Sequence, residues 1–242
     1  MKMNTTLRVV AWVAPAVLVL VACSGSDSGH ADVVGADAVG ADAVADVPVV
    51  SSRGLVCNQV MGVSVTGDWY VSGFESIVED GRWQVVSEAH AYIDLWTDPA
   101  SAEWAIAPVS PCTANAGDPD RVLFTGCNWA YTTAQEWTTA FTAVVEDLKA
   151  KYPNLKRVDL LTMLRAPGNV PCGDGGSLET VVQPWIDEAI ANVVAAYPGF
   201  VTAAPKFEAP SCDVFSFGGP HFTIDGRAVI AKMYGDYYAN EP

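Results

Sequence analysis

The sequence predicts an α/β protein, a three-layer α/β/α domain on a mostly parallel sheet. Three observations carry that expectation. Short apolar runs of strand length alternate with longer segments of helical period. Turn and cap residues punctuate the junctions. Half of the residues are hydrophobic and eight are tryptophan, enough for a core covered on both faces.

The elements follow in order. Leu55 to Val65 contains apolar stretches broken by Asn58 and Gln59 and reads as a strand entering a turn at Gly62-Val63-Ser64. Trp83 to Trp96 mixes alternation with helix-forming residues and fits either state. Arg121 to Gly126 is a short buried strand closed by a turn residue. Thr133 opens a helix, with Glu136 at capping-box spacing and Trp137, Phe141, Val144, Val145 and Leu148 on one face. Tyr152-Pro153-Asn154 ends it, and Arg157 to Met163 is the next strand. A Gly/Pro-rich loop, 166–177, leads to a second helix from about Leu178 to Tyr197, with Val181, Val182, Trp185, Ile186, Ala189, Ile190, Val193 and Val194 as its apolar face. Pro198-Gly199 stops that helix before a strand from Phe200 to Ala204. Thr223 to Tyr238 is the last helix, with Ala228, Ile230, Ala231 and Tyr234 partly in register.

The first fifty residues read as targeting and spacing rather than fold. Lys2 and Arg8 precede an apolar run, Val9 to Val21, shorter than the roughly 20 residues of a membrane span. The run closes on Leu20-Val21-Ala22-Cys23, which resembles a bacterial lipobox. The resemblance implies a signal peptide over 1–22 and acylation of Cys23, with chains such as palmitate. More than one chain makes anchoring stable. Residues 23–52 carry two copies of Val-Gly-Ala-Asp-Ala and no aromatics, too little apolar surface to offset ordering, so a disordered acidic tether is expected. The folded domain is then 53–242. These readings place the protein in the cell envelope, exported and membrane-attached through lipid alone; Ser24 fits outer-membrane sorting in a Gram-negative host.

The net charge of −15 argues against nucleic acid as a partner. Five cysteines follow Cys23: Cys57, Cys112, Cys127, Cys172 and Cys212. Export favours disulfides, and an odd number leaves one thiol. Cys172 and Cys212, both in loops after predicted strands, form one candidate pair, with the connectivity open. Neither the cysteine spacing nor the scarce histidines make a zinc site. Cys172-Gly173-Asp174-Gly175-Gly176 lacks the lysine of a phosphate cradle. No cofactor or metal is expected.

In a parallel α/β fold, sites gather at the carboxyl ends of the strands. Ser64, Asn128 and His221 fall at such ends or in late loops. Gly62-Val63-Ser64, Gly126-Cys127-Asn128 and the stretch Pro220-His221-Phe222-Thr223 running on to Gly226 follow one another in order. Together they resemble the first, third and last blocks of the SGNH (GDSL-type) hydrolases, over roughly Val56 to Ala239. The resemblance implies a flavodoxin-like sheet and a serine esterase or acylhydrolase. Ser64 is then the nucleophile, His221 its base, and the Asn128 amide with the Ser64 N–H the oxyanion donors. The substrate implied is a carboxylic ester: an acetylated carbohydrate, a lipid or a small acyl ester.

The chain also departs from that pattern. Val63 and Trp129 stand where aspartates are usual, and Gly218 stands where an aspartate precedes the histidine by three. Asp213 or a backbone carbonyl is left to orient His221, and Gly81 is available as the second-block glycine. The alternative reading is a degenerate scaffold that binds a glycan or protein partner. His90 reads as structural or surface. Asp68, Asp80, Asp94 and Asp98 read as solvated or capping, with no spacing for paired-carboxylate chemistry. Trp69, Trp83, Trp96, Trp104 and Trp129 read mostly as core, with one or two near Ser64 and Asn128 able to line a site.

Overall fold

The computed structural model describes residues 54–78, 83–88, 92–105, 117–172, 181–216 and 221–241. The expected signal peptide, Cys23 and the tether lie outside the described residues. So do Asp80, Gly81, His90, Cys112, the glycines of the 173–176 loop and Gly218.

Five parallel strands form one sheet in the order β2-β1-β3-β4-β5. They are β1 (Asn58–Val63), β2 (Trp83–Glu88), β3 (Arg121–Thr125), β4 (Arg157–Leu161) and β5 (Val201–Ala203). This is the flavodoxin-like order expected from sequence. The connection from β1 runs outward to β2 on one side, whereas the chain from β3 proceeds to the other. The crevice at that reversal opens at the carboxyl ends of β1 and β3.

The helices cover both faces. On one lie α1 (Ser64–Trp69), α2 (Glu75–Val78) and α6 (Ile224–Ala239). Trp69, Tyr70, Phe74, Ile230, Ala231 and Tyr234 pack there against Val60, Leu123 and Leu161. On the other lie α3 (Ile93–Trp96), α4 (Ala134–Lys151) and α5 (Pro184–Ala196). Trp137, Phe141, Val144, Ile190 and Val193 pack there against Met61, Val122, Phe124 and Leu160. Adjacent strand residues thus serve opposite cores, as the two-residue period of a strand requires.

Several elements differ from expectation. No turn follows β1: the chain passes directly from Val63 into α1 and continues through a π-helical turn, Tyr70–Phe74, kinked at Ser72 and Gly73. The ambiguous segment splits into strand β2 and helix α3. Helix α5 starts at Pro184 rather than near Leu178. Asn169 explains the late start, because its side chain accepts from the Val182 N–H and donates to the Val182 carbonyl, both at 2.9 Å. That pairing holds Val182 out of the helix, and proline at the first helical position then opens it. The last helix runs one residue beyond expectation, with Thr223 as its cap, and Ala228 is exposed rather than part of the packed face.

Two ties fix the amino ends of the strands. Asp120 accepts from the backbone N–H of Val56 (2.7 Å) and Cys57 (3.0 Å) and meets Lys156 Nζ at 2.7 Å. Burial opposes ionisation of this carboxyl, but Lys156 and the two amides together outweigh it and hold its pKa below the ordinary value. Beside it, Arg121 and Arg157 converge on Asp159 and Glu241, and all four side chains are buried. The Arg121 guanidinium also lies over the rings of Trp83 and Tyr238, 4.7 and 5.0 Å from their centroids. Cys172 and Cys212 are disulfide-bonded, as expected for one pair. Cys57 is disulfide-bonded too, and Cys127 is a buried thiol.

Candidate functional site

Ser64 occupies the first helical position after β1, and Asn128 follows β3 by three residues. Gly62 pairs with Thr125 across the two strands, so the two segments leave the sheet side by side at the crevice. The junction depends on glycine. Gly62 has φ +150°, and a Cβ there would lie 2.6 Å from the Thr125 carbonyl oxygen. Only glycine tolerates both conditions.

Helix α1 buries Val65, Thr66 and Trp69. Ser64 and Asp68, four apart, therefore share its other, polar face. The cap at Val63 offers no side-chain acceptor to the first turn.

His221 reaches that face from the far end of the chain. Its carbonyl accepts from the Ser216 N–H (2.7 Å) and hydroxyl (2.9 Å). Next to it, an isolated bridge joins Phe215 to Phe222. Thr223 then caps α6 by accepting from the Gly226 N–H at 3.0 Å. Gly226 allows the helix to start against the preceding loop, since a Cβ there would lie 2.1 Å from the Val214 carbonyl oxygen. The imidazole Nδ1 lies 3.4 Å from Asp68 Oδ2, and Arg227 Nη2 lies 3.2 Å from Asp68 Oδ1.

The structure thus brings His221 to the helix that begins with Ser64. Among the described residues, no hydrogen bond joins the Ser64 hydroxyl to the imidazole. Asp68, expected to be solvated or capping, is instead largely buried between His221 and Arg227. Asp213 does not meet His221; its carboxylate faces the Ser211 hydroxyl at 3.4 Å. The signal for Asp68 was its four-residue spacing from Ser64, readable only once that stretch is known to be helical.

Asn128 faces the crevice from the β3 side. Its Nδ2 donates to Asp94 Oδ1 at 3.1 Å, and its Oδ1 accepts from the Ala130 N–H at 2.8 Å. Asp94 is exposed, as expected, and its carboxylate also holds the amide. Asp98 does have the expected local role, accepting from the Ala100 N–H. Below the loop, Gly126 packs where a Cβ would come within 3.0 Å of Ile93 and Phe141.

A cavity of about 580 Å³ opens beside Asn128. Trp129, Tyr131, Met163, Val182, Trp185 and Ile186 supply most of its apolar wall, with Asn128, Thr132 and Gln183 as polar groups. The size and character suit a small organic ligand. Trp69, Trp83, Trp96 and Trp104 are core, as expected, whereas Trp129 is 45% exposed at the cavity rim. The Trp185 indole nitrogen is buried without a partner among the described residues.

No protein-family model matches the chain, and no curated protein does. Solved structures do resemble it, two among them at low identity. One is a carbohydrate esterase family 3 from Talaromyces cellulolyticus, 16% identical, with a TM-score of 0.47 over 75% of this chain and 95% of that one. The other is a GDSL-like lipase from Bacteroides thetaiotaomicron, 11% identical, with a TM-score of 0.44 over 76% of this chain and 87% of that one.

Proposed function

We propose that this chain is a serine ester hydrolase of the SGNH type, held in the cell envelope by a lipid on Cys23. The observation that supports it most is the meeting of His221 with Asp68, 153 residues apart in sequence, one helical turn along from Ser64. That contact brings an imidazole and a carboxylate to the helix that Ser64 opens, at the edge where parallel α/β folds do their chemistry.

In this reading Ser64 Oγ attacks the ester carbonyl carbon while His221 takes the hydroxyl proton. The carbonyl electron pair moves onto its oxygen, which the Ser64 N–H and the Asn128 Nδ2 then face. Asn128 has two amide hydrogens; Asp94 holds one, and the side chain also meets the Tyr131 hydroxyl, a contact that the substrate oxygen displaces. The intermediate collapses as the alkoxide leaves with the proton from His221. Water, deprotonated by the same imidazole, then releases the acid from Ser64. The aromatic cavity beside Asn128 holds the apolar or ring-bearing half of the ester.

The test is hydrolysis of a short-chain chromogenic ester, and of acetylated glycans, by the full-length chain beside Ser64→Ala. The expected result is turnover by the parent that falls by at least about a thousandfold in the variant. Equal turnover in both removes Ser64 from the mechanism.

The engagement of the Asn128 amide with Asp94 favours a second reading, a binding scaffold without catalysis. Silence on every ester, together with saturable retention of a glycan that Trp129→Ala abolishes, is the result that selects it.

A further inference from the structure

We propose that Asp68 is the positioning carboxylate for His221, so that the helix beginning with the nucleophile also carries the residue that orients its base. The proposal rests on the ester-hydrolase reading for its kinetic consequence, but the pairing itself stands on geometry.

The two oxygens of Asp68 are divided between two partners. Oδ1 faces Arg227 Nη2 at 3.2 Å and Oδ2 faces His221 Nδ1 at 3.4 Å. The carboxylate is 16% exposed, the imidazole 48%. Arg227 lies in the first turn of α6, and its backbone N–H donates to the Thr223 carbonyl at 2.9 Å. The base and the clamp therefore arrive on one short segment, His221 to Arg227, whose start is tied to Ser216 and whose cap is tied to Asp213 and Val214. Arg227 holds the carboxylate in place without occupying the oxygen that the imidazole meets.

A proton on Nδ1 directed at Asp68 leaves the lone pair on Nε2, the nitrogen free to accept from Ser64. As the Ser64 O–H bond breaks and the Oγ–C bond forms, the imidazole gains one proton and one positive charge. Asp68 remains ionised throughout and stabilises that charge; it neither takes nor gives a proton. The 3.4 Å separation is long for a finished hydrogen bond, as is usual before a substrate closes the site.

Two measurements test the pairing, both on the full-length chain. The first is the ¹⁵N spectrum of the His221 imidazole, assigned by its loss in His221→Gln and recorded where the ring is neutral. We expect the Nδ1–H form in the parent and a shift toward the Nε2–H form in Asp68→Asn. That variant keeps an acceptor for Arg227 but offers His221 an amide N–H. Identical spectra in parent and variant overturn the proposal, whether or not the protein hydrolyses esters.

The second measurement is kinetic. Asp68→Asn should lower kcat by about 10²- to 10⁴-fold with KM within about threefold, and Asp68→Glu should recover part of the loss. A kcat within threefold of the parent in Asp68→Asn, with the fold intact by circular dichroism, also overturns it. Failure of Ser64→Ala to abolish turnover defeats the hydrolase reading and leaves the imidazole spectrum to decide the pairing.

Discussion

At the scale of single residues, the best constrained position is Gly226. The sequence marks it only as the glycine of the stretch that begins at Pro220, five places after His221. In the fold it is the point where α6 grazes the carbonyl of Val214, leaving no room for a methyl group. Gly226→Ala should therefore cost about 3 kcal/mol in urea denaturation, with an unchanged slope. If the chain hydrolyses esters as proposed, the variant should also lower turnover per folded molecule, because Gly226 lies against the segment that carries His221. Ser64, Asn128 and His221 could be named as candidates from the sequence because each belongs to a short local pattern. Asp68 and Asp94 were not, since a carboxylate's partner 153 or 34 residues away leaves no trace in local spacing. Gly218 directed attention to the histidine's own loop and to Asp213, whereas the carboxylate that meets the imidazole comes from α1.

Elements were legible where local rules and tertiary packing agree. Helix α4 has both halves of its capping box, Thr133 and Glu136, and its apolar stripe is the buried one. Helix α1 was missed for the opposite reason. Ser64-Val65-Thr66-Gly67-Asp68 has two β-branched residues, a glycine and no cap, so propensity alone does not favour it. It forms because Trp69, Tyr70 and Phe74 bury against α6, with Trp69 stacked 4.5 Å from Tyr234. The start of α5 was overextended because a helical period continued through Val181 and Val182, and Asn169 captures Val182 instead.

The strand starts offer a test at this scale. The Asp120 carboxyl, held below its ordinary pKa, contributes stability above its unfolded value near 4, and that contribution is lost as pH falls through the lower folded value. Asp120→Asn should accordingly be about 2 kcal/mol less stable than the parent at pH 7. The difference should shrink below pH 4 and vanish once Asp120 is protonated in both states. Unfolding midpoints measured across that range check the sign.

Across the molecule, charge and chemistry occupy opposite edges of the sheet. The carboxyl ends of β1 and β3 hold the candidate site, and the amino ends of β3 and β4 hold Arg121 and Arg157 with Asp159 and Glu241. Glu241→Gln removes a charge that faces both arginines. It should destabilise the fold by about 3–5 kcal/mol while leaving the kcat of the surviving folded protein unchanged. Chemical denaturation and kinetics on one preparation separate the two quantities. The parallel sheet was legible as a whole because alternation of short strands with helices admits few topologies. The buried ion pairs were not, because Glu241 meets Arg121 and Arg157 from 120 and 84 residues away in sequence.

The Cys172–Cys212 bridge spans 40 residues that include α5 and β5. A protease that cuts the backbone once anywhere between those cysteines produces two polypeptides but not two molecules. They migrate as one band until a reductant is added, and then as two. The mass of the unreduced protein rises only by the one water consumed at the cut. A preparation can therefore be nicked through the segment that walls the cavity and still pass as intact by size, unless thiols are present in the gel.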